Sequence, residues 1–265
     1  MIYFIISYAW EAKPIVKQWK MQLVYQKFGY ALYKGDETFL LITGSSDCQV
    51  ASGMGWVKGL TPIVSDSIWI HIGHCYGSDY HGTVVAPCKI NGLQGDSFYP
   101  SIAFDLTMPY LDFRSTYQNK IKTTVKQEVW DKESSIFFQT ALKFTQLEWI
   151  HIWKISVTYS PSSNTHSILK DEAWIESNIH LLEVNLSKLL KVRQTLIRVS
   201  NERWVNDCNE YFKCSFSEQC QLEELSRKSK ALNMNFNTLT IQKFSCVKDL
   251  MNHIKRRLET YKLSV

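Results

Sequence analysis

The sequence has no pair of cysteines at C-x-x-C spacing, although it carries seven cysteines in all. That excludes the common zinc-ribbon and dithiol redox motifs. Cys208, Cys214 and Cys220 recur every six residues, which suits no common metal-ligand turn. No metal and no cofactor is expected, and the thiols read as reduced, partly buried side chains of a cytoplasmic protein. Also missing is an apolar run of the roughly 20 residues that a membrane span needs. The opening MIYFIISYAW reaches Glu11 too early, and it lacks the basic start and small-residue cleavage site of a secretory signal. Charge of one sign is scarce as well. The net charge is +5, and its densest cluster, Lys255-Arg256-Arg257, fits a solvated helix face, so neither nucleic acid nor membrane is an expected partner. Internal repeats, low-complexity tracts and flexible linkers are lacking too.

What is present is an ordinary globular balance, 45% hydrophobic and 21% charged over 265 residues, enough to bury a core without disulfides. Short β-like runs alternate with helical patterns. Ile2–Ser7 reads as a buried strand that enters a helix at about Trp10, where Ile15, Val16 and Trp19 fall at helical spacing. Phe28–Tyr33 and Thr38–Thr43 read as strands around a Lys34-Gly35-Asp36 turn, and Gln49–Gly59 as a small-residue helix packed closely on a sheet. Ser67–Ile72 and Thr83–Pro87 are further strands with a glycine-containing loop, 73–82, between them. Residues 91–129, with prolines at 100 and 109, read as a surface excursion. A helix over Lys132–Thr145 and a strong strand over Trp149–Val157 follow. The alternation predicts an α/β fold, a three-layer sandwich around a central mixed, largely parallel sheet. Beyond it come apolar helical stripes: Asp171–Lys191, a helix opened by Ser215 with Glu218 in a capping-box pattern, and a last helix through Val247, Leu250, Ile254 and Leu258. The expected division is an α/β domain over 1–200 and a helical C-terminal extension over 201–265.

In such sheets ligands sit at the carboxyl ends of the strands, which directs attention to the segments after Ser7, Ile72 and Val157. Glu11, in Trp10-Glu11-Ala12-Lys13-Pro14, could orient or deprotonate a water; a first-turn acid favoured by the helix dipole is the plainer alternative. Ile72-Gly73-His74-Cys75-Tyr76-Gly77 offers backbone amides for a phosphate or sugar oxygen, and His74 fits a hydrogen-bonded structural histidine as well as a catalyst. In Asp131-Lys132-Glu133-Ser134-Ser135, a carboxylate at the helix start can accept two charge-assisted hydrogen bonds from vicinal ribose hydroxyls. Helix capping by Asp131 with acids in the first turn fits equally. Lys154-Ile155-Ser156-Val157-Thr158-Tyr159 ends the strong strand, where polar groups could face the base of a bound nucleoside.

The order of these segments resembles the nucleoside phosphorylase superfamily, in particular its methylthioadenosine/S-adenosylhomocysteine nucleosidase-like branch. The resemblance covers roughly residues 1–165 and rests on EAKP at 11–14, IHIGH at 70–74 with GTVVA at 82–86, FYPS at 98–101, and DKESSIFFQTALKF at 131–144 with LEWIHIWKI at 147–155. It implies cleavage of a purine nucleoside's N-glycosidic bond by water or phosphate, and, by analogy, a homodimer. The alternative is an inactive nucleoside- or nucleotide-binding regulatory protein. Residue by residue, it implies that Glu11 positions the attacking water and that Glu133 binds the ribose 2′- and 3′-hydroxyls. Lys132 stands where a methionine packs against the sugar, and Gly73 and His74 stand in the glycine-rich cradle. Thr158 occupies the place of the aspartate that protonates the leaving purine. A threonine hydroxyl cannot supply that proton, and general-acid help is typically worth ~10²–10⁴ in rate.

Overall fold

The structure is a computed structural model and describes residues 1–61, 66–77, 80–102, 106–116, 128–157, 167–200, 203–231 and 241–262. The chain divides into two compact units, Met1–Leu189 and Leu190–Val265.

The first unit is built on strands β1 (Ile2–Ile6), β2 (Gln22–Lys27), β3 (Tyr30–Lys34), β4 (Thr38–Ile42), β5 (Ile68–Tyr76), β6 (Val84–Asn91), β7 (Ser97–Phe98), β8 (Tyr110–Ser115), β9 (Glu128–Asp131) and β10 (Ile150–Val157). Between them run helices α1 (Ala9–Gln18), α2 (Asp47–Leu60) and α3 (Ser134–Ala141), and α4 (Ser167–Ser200) follows the last strand. All ten strands belong to one mixed sheet. β4, β1, β5 and β10 lie side by side and parallel, as mainly apolar runs buried on both faces. Alternation along β1 sends Tyr3 and Ile5 into a core with Val50, Met54 and Val57 of α2 and Phe137 and Ala141 of α3. Phe4 points the other way, against Trp19 at the end of α1, whose indole N–H donates to Glu183 of α4. Helices therefore cover both faces of the sheet, an α/β architecture.

Three segments differ from the sequence reading. Phe28 does not begin a strand. Phe28 and Gly29, both with positive φ (57° and 82°), form a two-residue hairpin turn, and β2 pairs with β3 before it. The excursion over 91–129 contributes β7, β8 and β9 to the sheet. Finally, β5 does not stop at Ile72 but runs on to Tyr76, because β10 pairs beside it as far as Val157. Gly73 and His74 are therefore strand residues and not part of an open glycine loop.

This long β5 shapes the site. On one side it is paired to β10 from Trp69 to Tyr76. On the other, β1 accompanies it only to Ile72, and β9 joins antiparallel at Tyr76. The circuit β5–β10–β6–β8–β9 closes on itself, and the edge of β5 at Gly73–Cys75 is left between the end of β1 and the end of β9.

Gly82, ahead of β6, lies under the ring of Trp174 on α4, and its carbonyl accepts from Asn178. Its φ is +75°, and an added Cβ would collide with that ring. Gly82→Ala is expected to cost about 1–3 kcal/mol through overpacking and the left-handed backbone. An unchanged urea midpoint would contradict this.

The second unit contains α5 (Arg203–Phe212), α6 (Phe216–Ala231) and α7 (Val247–Lys262). They share an apolar core of Val205, Leu222, Leu225, Val247, Leu250 and Ile254. Ser215 and Glu218 bond reciprocally in a capping box at the start of α6.

Candidate functional site

The gap beside β5 is filled by charged side chains from four elements. Glu11 comes from the first turn of α1, directly after β1. Its Oε2 accepts the Tyr8 N–H (3.1 Å), which makes it the helix-start acid. Its Oε1 accepts the His74 backbone N–H at 3.2 Å and lies 2.9 Å from His74 Nδ1. The helix-start reading of Glu11 is thus seen, and the same carboxylate also reaches β5. It uses a backbone donor that β5 exposes because β1 has already ended.

Lys154 projects from the middle of β10, opposite Gly73 in register. Its ammonium lies 3.3 Å from Asp131 Oδ2, 3.5 Å from Glu133 Oε2 and 3.4 Å from His71 Nε2. Gly73 lies between the two groups. A Cβ there would come within 3.1 Å of both Glu11 Oε1 and Lys154 Nζ, so a larger residue would make the carboxylate and the ammonium give way by a few tenths of an ångström.

At the other edge, Asp131 ends β9 and accepts the Ser134 N–H (3.1 Å) and the Ser134 hydroxyl, capping α3. Glu133 is thereby left to face Lys154. Glu11, His74, Asp131, Glu133, Lys154 and His71 are all buried. In low dielectric the polar groups must satisfy one another.

The electrostatics follow from this crowding. Burial pushes the Glu133 carboxyl up to about 7; Lys154 pulls it down, while Asp131 and Glu11 add to the rise. Burial disfavours the Lys154 ammonium, but Asp131, Glu133 and Glu11 outweigh it and hold its pKa above the usual lysine value. Both values rise, which favours the neutral form of Glu133, where burial dominates, and the charged form of Lys154, where three carboxylates outweigh burial. Burial, helped by Lys154, holds His71 well below the usual histidine range, so it is a neutral imidazole. His74 packs its ring against Trp10 (centroids 5.0 Å), and Trp10 stacks on the half-exposed Tyr8 (5.7 Å). A groove of about 490 Å³ between α1 and strands β3 and β4, lined by Ala12, Val16, Tyr33 and Ile42 with Lys13 and Lys17, contains none of these residues.

No protein-family model matches the sequence, and a search of curated proteins returns no match. Solved structures do match. An Arabidopsis thaliana 5′-methylthioadenosine nucleosidase in apo form superposes with TM-score 0.54 at 13% identity, covering 72% of this chain and 95% of that one. A Helicobacter pylori 5′-methylthioadenosine/S-adenosylhomocysteine nucleosidase with butyl-thio-DADMe-Immucillin-A gives 0.56 at 12%, covering 70% and 97%. The S. pneumoniae enzyme with the transition-state inhibitor MT-ImmA gives 0.52 at 13%, covering 72% and 98%. The fold is that of the methylthioadenosine nucleosidases.

On this nucleosidase fold, the sequence-identified residues Glu11, Gly73, His74 and Glu133 come together in one cluster. Lys132 is half-buried in the turn between β9 and α3. Thr158 lies outside the described residues. The Gly73–His74 segment is not an amide cradle, since it is strand and the His74 N–H is taken by Glu11. Sequence reasoning missed His71 and missed Lys154 as the partner of Glu133. A signal was available: each interrupts an otherwise apolar run, IWIHIG and IHIWKISV, and a charge inside a buried strand requires partners.

Proposed function

We propose that the protein binds a purine nucleoside of the methylthioadenosine/S-adenosylhomocysteine class at this cluster and hydrolyses its N-glycosidic bond. One observation carries the reading: beside the carboxyl end of β1, Glu11 lies against Gly73 and Glu133 lies against Lys154, which borders the same gap. Ligands bind there in open α/β sheets, and the fold is shared with nucleosidases. Glu133 accepts hydrogen bonds from the ribose hydroxyls, and Glu11 orients a water and takes its proton as the oxygen attacks the anomeric carbon. The bond from that carbon to the purine nitrogen breaks, and its electron pair leaves with the base. The base must then be protonated; Thr158, in the place of the usual acid, cannot do so, and solvent water supplies the proton. Turnover is therefore slow.

A second reading is favoured by Lys154. Its ammonium already occupies Glu133, as fits a nucleoside-binding regulatory protein without turnover. Incubation with methylthioadenosine, S-adenosylhomocysteine, adenosine and inosine separates the two. Hydrolysis predicts slow release of free base that disappears in Glu11→Gln. If release does not exceed that of the variant, hydrolysis is excluded. Binding alone predicts a rise in Tm, by mass action on the native state, that is lost in Glu133→Ala. If neither base release nor a Tm rise occurs, both readings fail.

A further inference from the structure

The geometry points to Lys154 as a positioning residue that keeps Glu133 a hydrogen-bond acceptor, so that nucleoside binding depends on this internal ammonium and not on Glu133 alone. The inference rests on Glu133 being the ribose carboxylate.

An ammonium in the centre of a buried strand is held only by close counter-charges. The titratable groups around this one come from four segments: Glu11 from α1, His71 and Cys75 from β5, Asp131 from β9, and Glu133 from the turn before α3; β6, which pairs beside it, brings Val85 there. His74 stands behind Glu11. Asp131 Oδ2 already receives two donors from Ser134 besides Lys154, and Glu11 receives donors from Tyr8 and His74. Both are anchored to backbone. Glu133 is set differently: its contact in the cluster is Lys154, and the Asp131 and Glu11 carboxylates both favour its protonation.

The protonation state decides what Glu133 can hold. An ionised carboxylate is acceptor-only and can receive both vicinal hydroxyls, whereas a protonated one commits an oxygen to donation. Lys154 supplies the charge that opposes protonation. Its three N–H donors face Asp131, Glu133 and His71, which holds the charge beside the carboxylate when a sugar takes the facing lone pairs.

The test is a ¹³C-carboxyl NMR titration of the full chain, with the Glu133 resonance assigned by its loss in Glu133→Gln. Removing an opposite charge within ~4–6 Å moves a carboxyl by roughly one to three pH units. The Glu133 midpoint is therefore expected to rise by that much in Lys154→Met and to return towards wild type in Lys154→Arg. A lysine that served only to pair Asp131 would leave the Glu133 midpoint in place, and that result overturns the proposal. Should Lys154→Met fail to fold, the same rise is expected in Lys154→Met/Asp131→Asn measured against Asp131→Asn alone, and its absence overturns the proposal equally.

In parallel, the Tm rise given by methylthioadenosine is followed from pH 6 to 9, and its midpoint should move with the NMR midpoint. No Tm rise in wild type at any pH removes the nucleoside reading, and the dependence of binding on Lys154 falls with it. A Tm rise whose pH midpoint is the same in wild type and Lys154→Met overturns the role of Lys154 and leaves the nucleoside reading standing.

Discussion

Asp131→Ala is expected to destabilise the protein by about 3–5 kcal/mol, the usual cost of breaking a buried ion pair by removing one partner. Asp131 is the carboxylate nearest to the Lys154 ammonium, and both side chains are sealed from solvent. Without it, a buried ammonium is left chiefly to Glu133, a carboxyl whose ionised form burial disfavours. The same substitution strips the first N–H of α3 and the Ser134 hydroxyl of their acceptor. A lost helix cap typically adds ~1 kcal/mol. The measurement is the urea midpoint at neutral pH with the slope unchanged. The double variant Asp131→Ala/Lys154→Met should lose less than the sum of the single changes, because the second removes the charge that the first left unpaired. A loss below about 1 kcal/mol in Asp131→Ala, or strict additivity in the double variant, contradicts the ion-pair account.

The frame of the fold is legible where burial is continuous. IYFII, TFLLI and IHIWKISV are apolar runs of strand length, and β1, β4 and β10 form on them within a residue or two of the sequence reading. β2 is not legible. All six residues of QLVYQK are exposed, so no face is selected by burial and only the ladder with β3 makes them a strand. β8 is a different case. YLDFRS alternates, and Leu111, Phe113 and Ser115 are buried, but it follows directly on Pro109 in a stretch that reads as loop.

The site divides along the same line. Glu11 and Glu133 are visible because each stands where a strand hands over to a helix, a position defined within a few residues of local sequence. What their carboxylates touch is set by β5 outrunning β1. That is a matter of strand length and register between segments some sixty residues apart, and local periodicity carries no trace of it. Lys154 is therefore readable as an anomaly in its strand, but its partners are not readable.

The same burial that makes Glu133 a candidate for binding sets a cost that a single substitution can expose. Glu133→Gln is expected to make the protein more stable above neutral pH while removing nucleoside binding. The sign follows from linkage. Burial, chiefly, lifts the folded carboxyl from its ordinary value of 4.5 to about 7. Below about pH 4.5 the group is protonated in both states, and wild type and variant keep a constant difference. Between about 4.5 and 7 the unfolded chain releases the proton and the folded chain retains it, so wild-type stability falls as pH rises. Above 7 both states are ionised and the loss is complete. A shift of this size corresponds to about 3 kcal/mol at ~1.4 kcal/mol per pH unit. Glutamine does not titrate, and its amide oxygen can still accept from Lys154. The stability difference between Glu133→Gln and wild type should therefore grow in favour of the variant from pH 5 to pH 8, read from urea midpoints across that range. Parallel profiles would show that Glu133 carries no such cost in the folded protein. A variant that instead lost ground with rising pH would show that the ionised Glu133–Lys154 pair is net stabilising.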